Sequence, residues 1–298
     1  MHSWPRLNWS EWSDTARTLH MWTQVVGKIR MQYAPPVNHW WHITLYVTTR
    51  GLGTGAIPCD NRTFSVDFDF TNHRLEIACS DGATAGFALE PMSVATFYRS
   101  ILDALSSIGV PVAINTKPSE VENPVRFELD EANASYDAKA AHDFWHALVH
   151  IDRVFQAFRA RFLGKVSPVH FFWGSFDHAV TRFSGSRAPE HPGVPILPDW
   201  VTREAYSHEV SSAGFWPGGP AMDAMFYSYA YPTPAGFSEE PVRPDAAFFS
   251  KDFGEFILPY AAVQAADDPD AMLMEFLQST YEAAAKLLQW DRAALERP

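Results

Sequence analysis

A helical stripe, a series of short extended segments and a second helical stripe follow one another twice along this chain, and few folds accommodate that order. The spacing predicts a first helix over about Trp12 to Met31, stopped by Pro35-Pro36. Extended segments follow at His42 to Arg50, Phe64 to Phe70, Arg74 to Cys79 and Gly86 to Leu89. In the second of these, Phe64, Val66, Phe68 and Phe70 alternate with Ser65, Asp67 and Asp69, the two-residue period of a half-buried strand. Thr71-Asn72-His73 then suits a hairpin turn. Ser93 can cap a helix whose stripe is Val94, Phe97, Ile101, Leu105 and Ile108, with Gly109 ending it. Val110 to Asn115 reads as one more strand.

Lys117 to Ser135 carry prolines and acids without a period and read as a connector. A long helix is predicted from about Ala138 to Leu163, with Ala141, Phe144, Leu148, Ile151, Phe155, Phe158 and Phe162 on its apolar side. Strands are expected at Val169 to Phe176, His178 to Phe183, His208 to Phe215, Met225 to Tyr231 and Glu255 to Leu258, then a closing helix from Pro269 to Trp290. The reading is an α+β protein of two related halves, each helix, antiparallel strands and helix, packed about a pseudo-twofold axis. Residues 1–116 form one half, 117–136 the connector and 137–298 the other, joined in one compact unit. Pro36, Val37, Trp41, Thr49 and Arg50 recur at a constant offset as Pro168, Val169, Trp173, Thr181 and Arg182, which suggests internal duplication. A cleft is then expected where the halves meet.

Rings make up 14% of the chain, including 11 Trp and 22 Phe, enough for a ring-rich core or for a pocket that holds a flat organic ligand. The net charge of −12, with no dense basic run, argues against nucleic acid and against an anionic membrane surface. No stretch approaches the roughly 20 apolar residues that span a bilayer. Residues 1–11 lack a basic region followed by an apolar one, so no secretory signal is expected. Cys59 and Cys79 lie outside any Cys-x-x-Cys and suit reduced thiols, hence a soluble, cytoplasmic protein.

Four runs look familiar. They are Asn38-His39-Trp40-Trp41-His42; Ser167-Pro168-Val169-His170-Phe171-Phe172-Trp173-Gly174-Ser175-Phe176-Asp177; Glu204-Ala205-Tyr206-Ser207-His208-Glu209-Val210-Ser211-Ser212-Ala213-Gly214-Phe215-Trp216-Pro217-Gly218; and Phe276-Leu277-Gln278-Ser279-Thr280-Tyr281-Glu282. Together they resemble a mainly bacterial family designated domain of unknown function 5996, and the similarity spans nearly the whole chain. The resemblance implies no catalytic role for any residue.

No nucleophile elbow, phosphate loop or His-Glu-x-x-His occurs, and Gly51-Leu52-Gly53-Thr54-Gly55 has the wrong spacing for a dinucleotide fingerprint. A flexible loop is expected there instead. The richest polar material lies in the second half: His170, Asp177, Arg182, Glu204, Tyr206 and His208. Imidazole and carboxylate together suit proton transfer, so His170, Asp177, Glu204 and His208 are the catalytic candidates. His170, Asp177 and His208 are equally a possible site for Zn or Fe, two His with one carboxylate leaving positions open. Arg182 is the expected anchor for an anionic substrate group, with Trp40, Trp41, Tyr206, Trp216 and Tyr229 as ring contacts. Geometry restrains these readings: seven residues separate His170 from Asp177, which puts them on opposite sides of a regular strand unless Gly174 marks a bulge. If Asp199 caps a short helix, Glu204 rides on it and His208 opens the next strand.

Each candidate has a plainer explanation. Polar groups inside a ring-rich core need partners, and pairs of His or Arg with carboxylates often do no more than fix strand register. His142, His146 and His150 share a helix face at metal-binding spacing, but that face lies away from the apolar stripe and is expected to meet solvent. Tyr227, Tyr229 and Tyr231 share a strand face that either lines a pocket or packs against a helix. Three functions compete: an enzyme acting on a small organic molecule by acid–base or metal chemistry, a non-catalytic binder of a small ligand, and an interaction protein docking through exposed aromatic loops.

Overall fold

In the computed structural model the described residues are 4–297, so part of the segment read for a secretory signal lies outside them. In chain order the elements are α1 (Trp9–Tyr33), β1 (Tyr46–Val47), β2 (Gly51–Gly53), β3 (Ile57–Cys59), β4 (Arg62–Asp69), β5 (Arg74–Cys79), β6 (Thr84–Ala88), α2 (Val94–Ser107) and α3 (Ala138–Ala160). After these come β7 (His170–Phe172), β8 (Asp177–Arg187), α4 (Asp199–Ala205), β9 (His208–Trp216), β10 (Met225–Tyr231), β11 (Phe248–Ser250) and β12 (Glu255–Pro259). Three helices close the chain: α5 (Tyr260–Gln264), α6 (Pro269–Leu287) and α7 (Arg292–Leu295). With two antiparallel sheets of six strands, the class is α+β. One sheet runs β1-β2-β4-β5-β6 with β3 on β4, the other β11-β12-β10-β9-β8-β7. No helix among the described residues is long and apolar enough to cross a membrane.

The described residues divide into two compact units, one made of residues 10–145 and 171–176, the other of residues 4–9, 146–170 and 177–297. In the first unit, Phe64, Val66 and Phe68 of β4 turn inward as their alternation requires, and Trp22 of α1 stacks on Phe97 of α2 at 4.7 Å. Ser93 caps α2 by accepting the Thr96 N–H, and Asp69 ties the turn after β4 by accepting from Thr71 and Asn72. In the second unit, α3 and α6 cover one face of the sheet: Phe155 stacks on His178, and Arg182 lies against Phe158 and Tyr281.

Several local expectations are corrected. Gly51–Gly53 is a buried strand and not a flexible loop. A Cβ on Gly51 would fall 1.7 Å from the Phe68 carbonyl oxygen and one on Gly53 2.0 Å from Asp67, so the glycines serve close strand approach. Val110 to Asn115 forms no strand; Pro111 offers no N–H, the Val110 N–H closes α2 on Leu105, and the Ala113 N–H goes to the Tyr33 hydroxyl. The stretches matched at a constant offset differ locally: Asn38–Trp40 is a 3-10 turn where His170–Phe172 is a strand. They also meet inside one unit, where Leu45 and Phe171 exchange backbone hydrogen bonds at 2.9 Å and the Trp173 indole donates to the Ile43 carbonyl.

Candidate functional site

Register decides which side chains share the second sheet's open side. His178 pairs with Phe215, Thr181 with Ser212, Tyr227 with Gly214, Tyr229 with Ser212, and Ser228 with Phe256. Antiparallel partners point the same way, so Asp177, Thr181, Ser212, Gly214, Tyr227, Tyr229 and Glu255 fall on the face away from α3 and α6. Gly214 matters most to this arrangement. A Cβ there would lie 2.2 Å from the Tyr227 hydroxyl and 2.3 Å from the ring carbon that bears it. Without one, the Tyr227 ring lies across β9 and its hydroxyl donates to Asp177. Tyr229 stacks beside Tyr227 at 6.2 Å and shares a 2.9 Å hydrogen bond with the Tyr206 hydroxyl at the end of α4. His191 stacks on Tyr206 at 4.7 Å, and Tyr231 meets both rings.

Electrostatics set Glu255 apart. Burial, and then the charge of Asp177, push its carboxyl up to about 7. Burial likewise holds the Tyr227 and Tyr229 phenols well above their ordinary value, so both stay protonated donors. Tyr227, Tyr229 and Glu255 are half-buried, whereas Asp177 and Ser212 on the same face are buried. Glu255 forms no ion pair with a lysine or arginine among the described residues, and Asp177 adds a second acid to the face. Such a face favours neutral or cationic guests and repels anions.

The sequence profile of a family of unknown function, DUF5996, matches residues 4–297. The chain belongs to that family. No curated protein and no solved structure matches this DUF5996 member.

The other candidates of the DUF5996 chain are dispersed. His208 opens β9, eight positions from Trp216 beside Asp177, or about 27 Å along the strand. It therefore cannot share a metal or a substrate atom with Asp177. Burial, then Arg187 and Lys165, depress its imidazole, and its Nδ1 bonds the Ser207 hydroxyl. His170 is buried on β7, and the turn 173–176 carries the chain from it to Asp177, so the two stand on successive strands. Glu204 is exposed on α4, and it is Tyr206 that reaches the face. Among the described residues no three of His, Cys, Asp and Glu come together to hold a metal ion.

Arg182 is no substrate anchor. One residue along β8 from Thr181, it points to the helix side, where its guanidinium lies 3.5 Å from the Phe158 ring centre and donates to the Phe158 carbonyl. It is 1% exposed, and burial lowers it to about 10. Trp40 packs on His42 and Trp41 on His39 within their own turn, while Trp216 ends β9 next to Met225. The histidines of α3 do not stand free in solvent either: His142 meets Trp145, His146 meets His150, and His150 stacks on Trp4. Glu255 was overlooked in the sequence. Its one signal is an acid at the head of the apolar run Phe256-Ile257-Leu258, and its place on the tyrosine face, one step beyond the Ser228–Phe256 pair, is a matter of register alone.

Proposed function

We propose that this protein is an enzyme that moves a proton on a small, neutral or cationic organic molecule held on the tyrosine face of its second sheet. One observation carries the reading: Glu255, with a carboxyl near 7, shares a partly open face with Asp177, Tyr227, Tyr229 and Tyr206. A carboxyl that titrates near neutrality can take and return a proton at the working pH. The Tyr206–Tyr229 pair has two hydroxyl protons and spends one on its own hydrogen bond, which leaves one donor for an oxygen on which negative charge develops. Asp177 holds the Tyr227 hydroxyl in place and disfavours a second ionised carboxylate nearby. Glu255 thus takes the acid–base role, and no metal is required of His170, Asp177 and His208.

Matched small aromatic ketones, amines and carboxylic acids test the reading. Ketones and amines are expected to raise the melting temperature, and the acids are not. Exchange of the ketone C–H in D2O, followed by proton NMR, should rise through pH 7 and fall at least about 100-fold in Glu255→Gln. Preferential binding of the acids, or unchanged exchange in the variant, would overturn it. The two acids and the stacked phenols on this face also suit a second reading, non-catalytic capture of an organic cation. Amine binding without turnover of any ketone would select that one.

A further inference from the structure

The first unit holds a second polar arrangement. His20, Gln24 and Lys28 recur every fourth residue along α1 and so share one face. Gln24 grips the backbone of Ser119 from both sides, donating to its carbonyl at 2.7 Å and accepting from its N–H at 2.8 Å. The Lys28 ammonium, 3% exposed as a residue, donates to the Ser119 hydroxyl at 3.0 Å and lies 5.7 Å from the Trp173 ring centre. No carboxylate forms an ion pair with Lys28 among the described residues. Burial alone lowers its proton affinity. Glu120, next in the chain, holds a left-handed φ of 57°, a conformation that costs a non-glycine residue about 1 kcal/mol or more.

A buried ammonium answered by a neutral hydroxyl and a ring, with no ion pair, is expensive, and the two Gln24 bonds already fix the loop without it. Lysine in such surroundings spends more time as the free amine, which is a base. Ser119 is itself half-buried, on the segment that the sequence offered only as a connector.

We propose that Ser119 and Lys28 form a nucleophile–base pair that accepts an acyl group from a small ester. The Ser119 oxygen bonds to the ester carbonyl carbon as its proton passes to the Lys28 amine. The carbon–alkoxy bond then breaks, and the departing alcohol takes that proton from Lys28. Water, deprotonated by the same amine, releases the acid and restores the hydroxyl. This pair shares no residue with the tyrosine face, so either can fail without the other.

A fluorophosphonate tests it on the full chain, since attack by Ser119 forms an oxygen–phosphorus bond and expels fluoride while Lys28 takes the proton. One adduct per chain is expected by intact mass and maps to Ser119, with a rate that rises with pH as Lys28 loses its proton. Ser119→Ala should take none. Lys28→Gln and Lys28→Arg should each slow labelling by about 100-fold or more. Lys28→Arg keeps a cation in place, so its loss of rate at unchanged circular dichroism separates a base from a structural prop. No adduct at Ser119, or labelling of a folded Lys28→Arg at the wild-type rate, would overturn the pair.

Discussion

A carboxyl whose proton affinity is higher in the folded than in the unfolded chain makes stability depend on pH, and Glu255 is such a group. Below its unfolded value of 4.5 it is protonated in both states, and folding suffers nothing from it. Between 4.5 and about 7 the unfolded chain ionises first, so this contribution is lost as pH rises through the folded value. Glu255→Gln should therefore melt like the wild type at pH 4 and higher than it at pH 8, by on the order of 1–3 kcal/mol once screening is allowed for. Thermal unfolding at the two pH values checks this, and a variant less stable at pH 8 would contradict it. Residue chemistry alone pointed to Asp177, Tyr206 and Tyr229, three polar groups near rings. It also pointed to Arg182, which a shift of one position sends to the opposite face. A side chain's type suggests what it can do, whereas its parity within a paired strand decides where it does it.

At the scale of elements, β9 is built around what it lacks. The empty space at Gly214 lets the Tyr227 ring of β10 cross to Asp177 at the head of β8. Gly214→Ala should push that ring off the sheet, break the hydrogen bond to Asp177 and cost about 1–3 kcal/mol. Chemical denaturation measures the cost, and loss of ligand-induced stabilisation in a still-folded variant reads the site. The elements themselves were largely legible, because α1, α2, α3 and α6 show helical spacing and β4 and β10 strict alternation. Short strands such as β2, β3 and β11 were not: three residues hold too little pattern, and two of the three in β2 are glycines. Such segments become strands only because a neighbour supplies their hydrogen bonds.

Over the whole molecule, the units do not follow the chain in simple order. Phe171–Phe176 belongs with residues 10–145, where Trp173 fills the space above Gly27, Phe171 bridges to Leu45, and Phe144 stacks on Phe176 and Trp12. A fragment of residues 1–136 lacks Phe144, Phe171, Trp173 and Phe176 and is expected to remain unfolded, with collapsed amide dispersion by NMR. A dispersed, native-like spectrum from that fragment would refute the claim. From the order of residues alone came the α+β class, the long helices, the main strands and the family, since each rests on local periodicity or on motifs that need no partner. The three-dimensional packing alone assigned faces to β8, β9 and β10, raised Glu255 among tyrosines, set Lys28 against Ser119 and drew Phe171–Phe176 into the first unit. Those outcomes depend on strand register and on contacts between residues far apart in the chain, and neither is encoded in the spacing of neighbours.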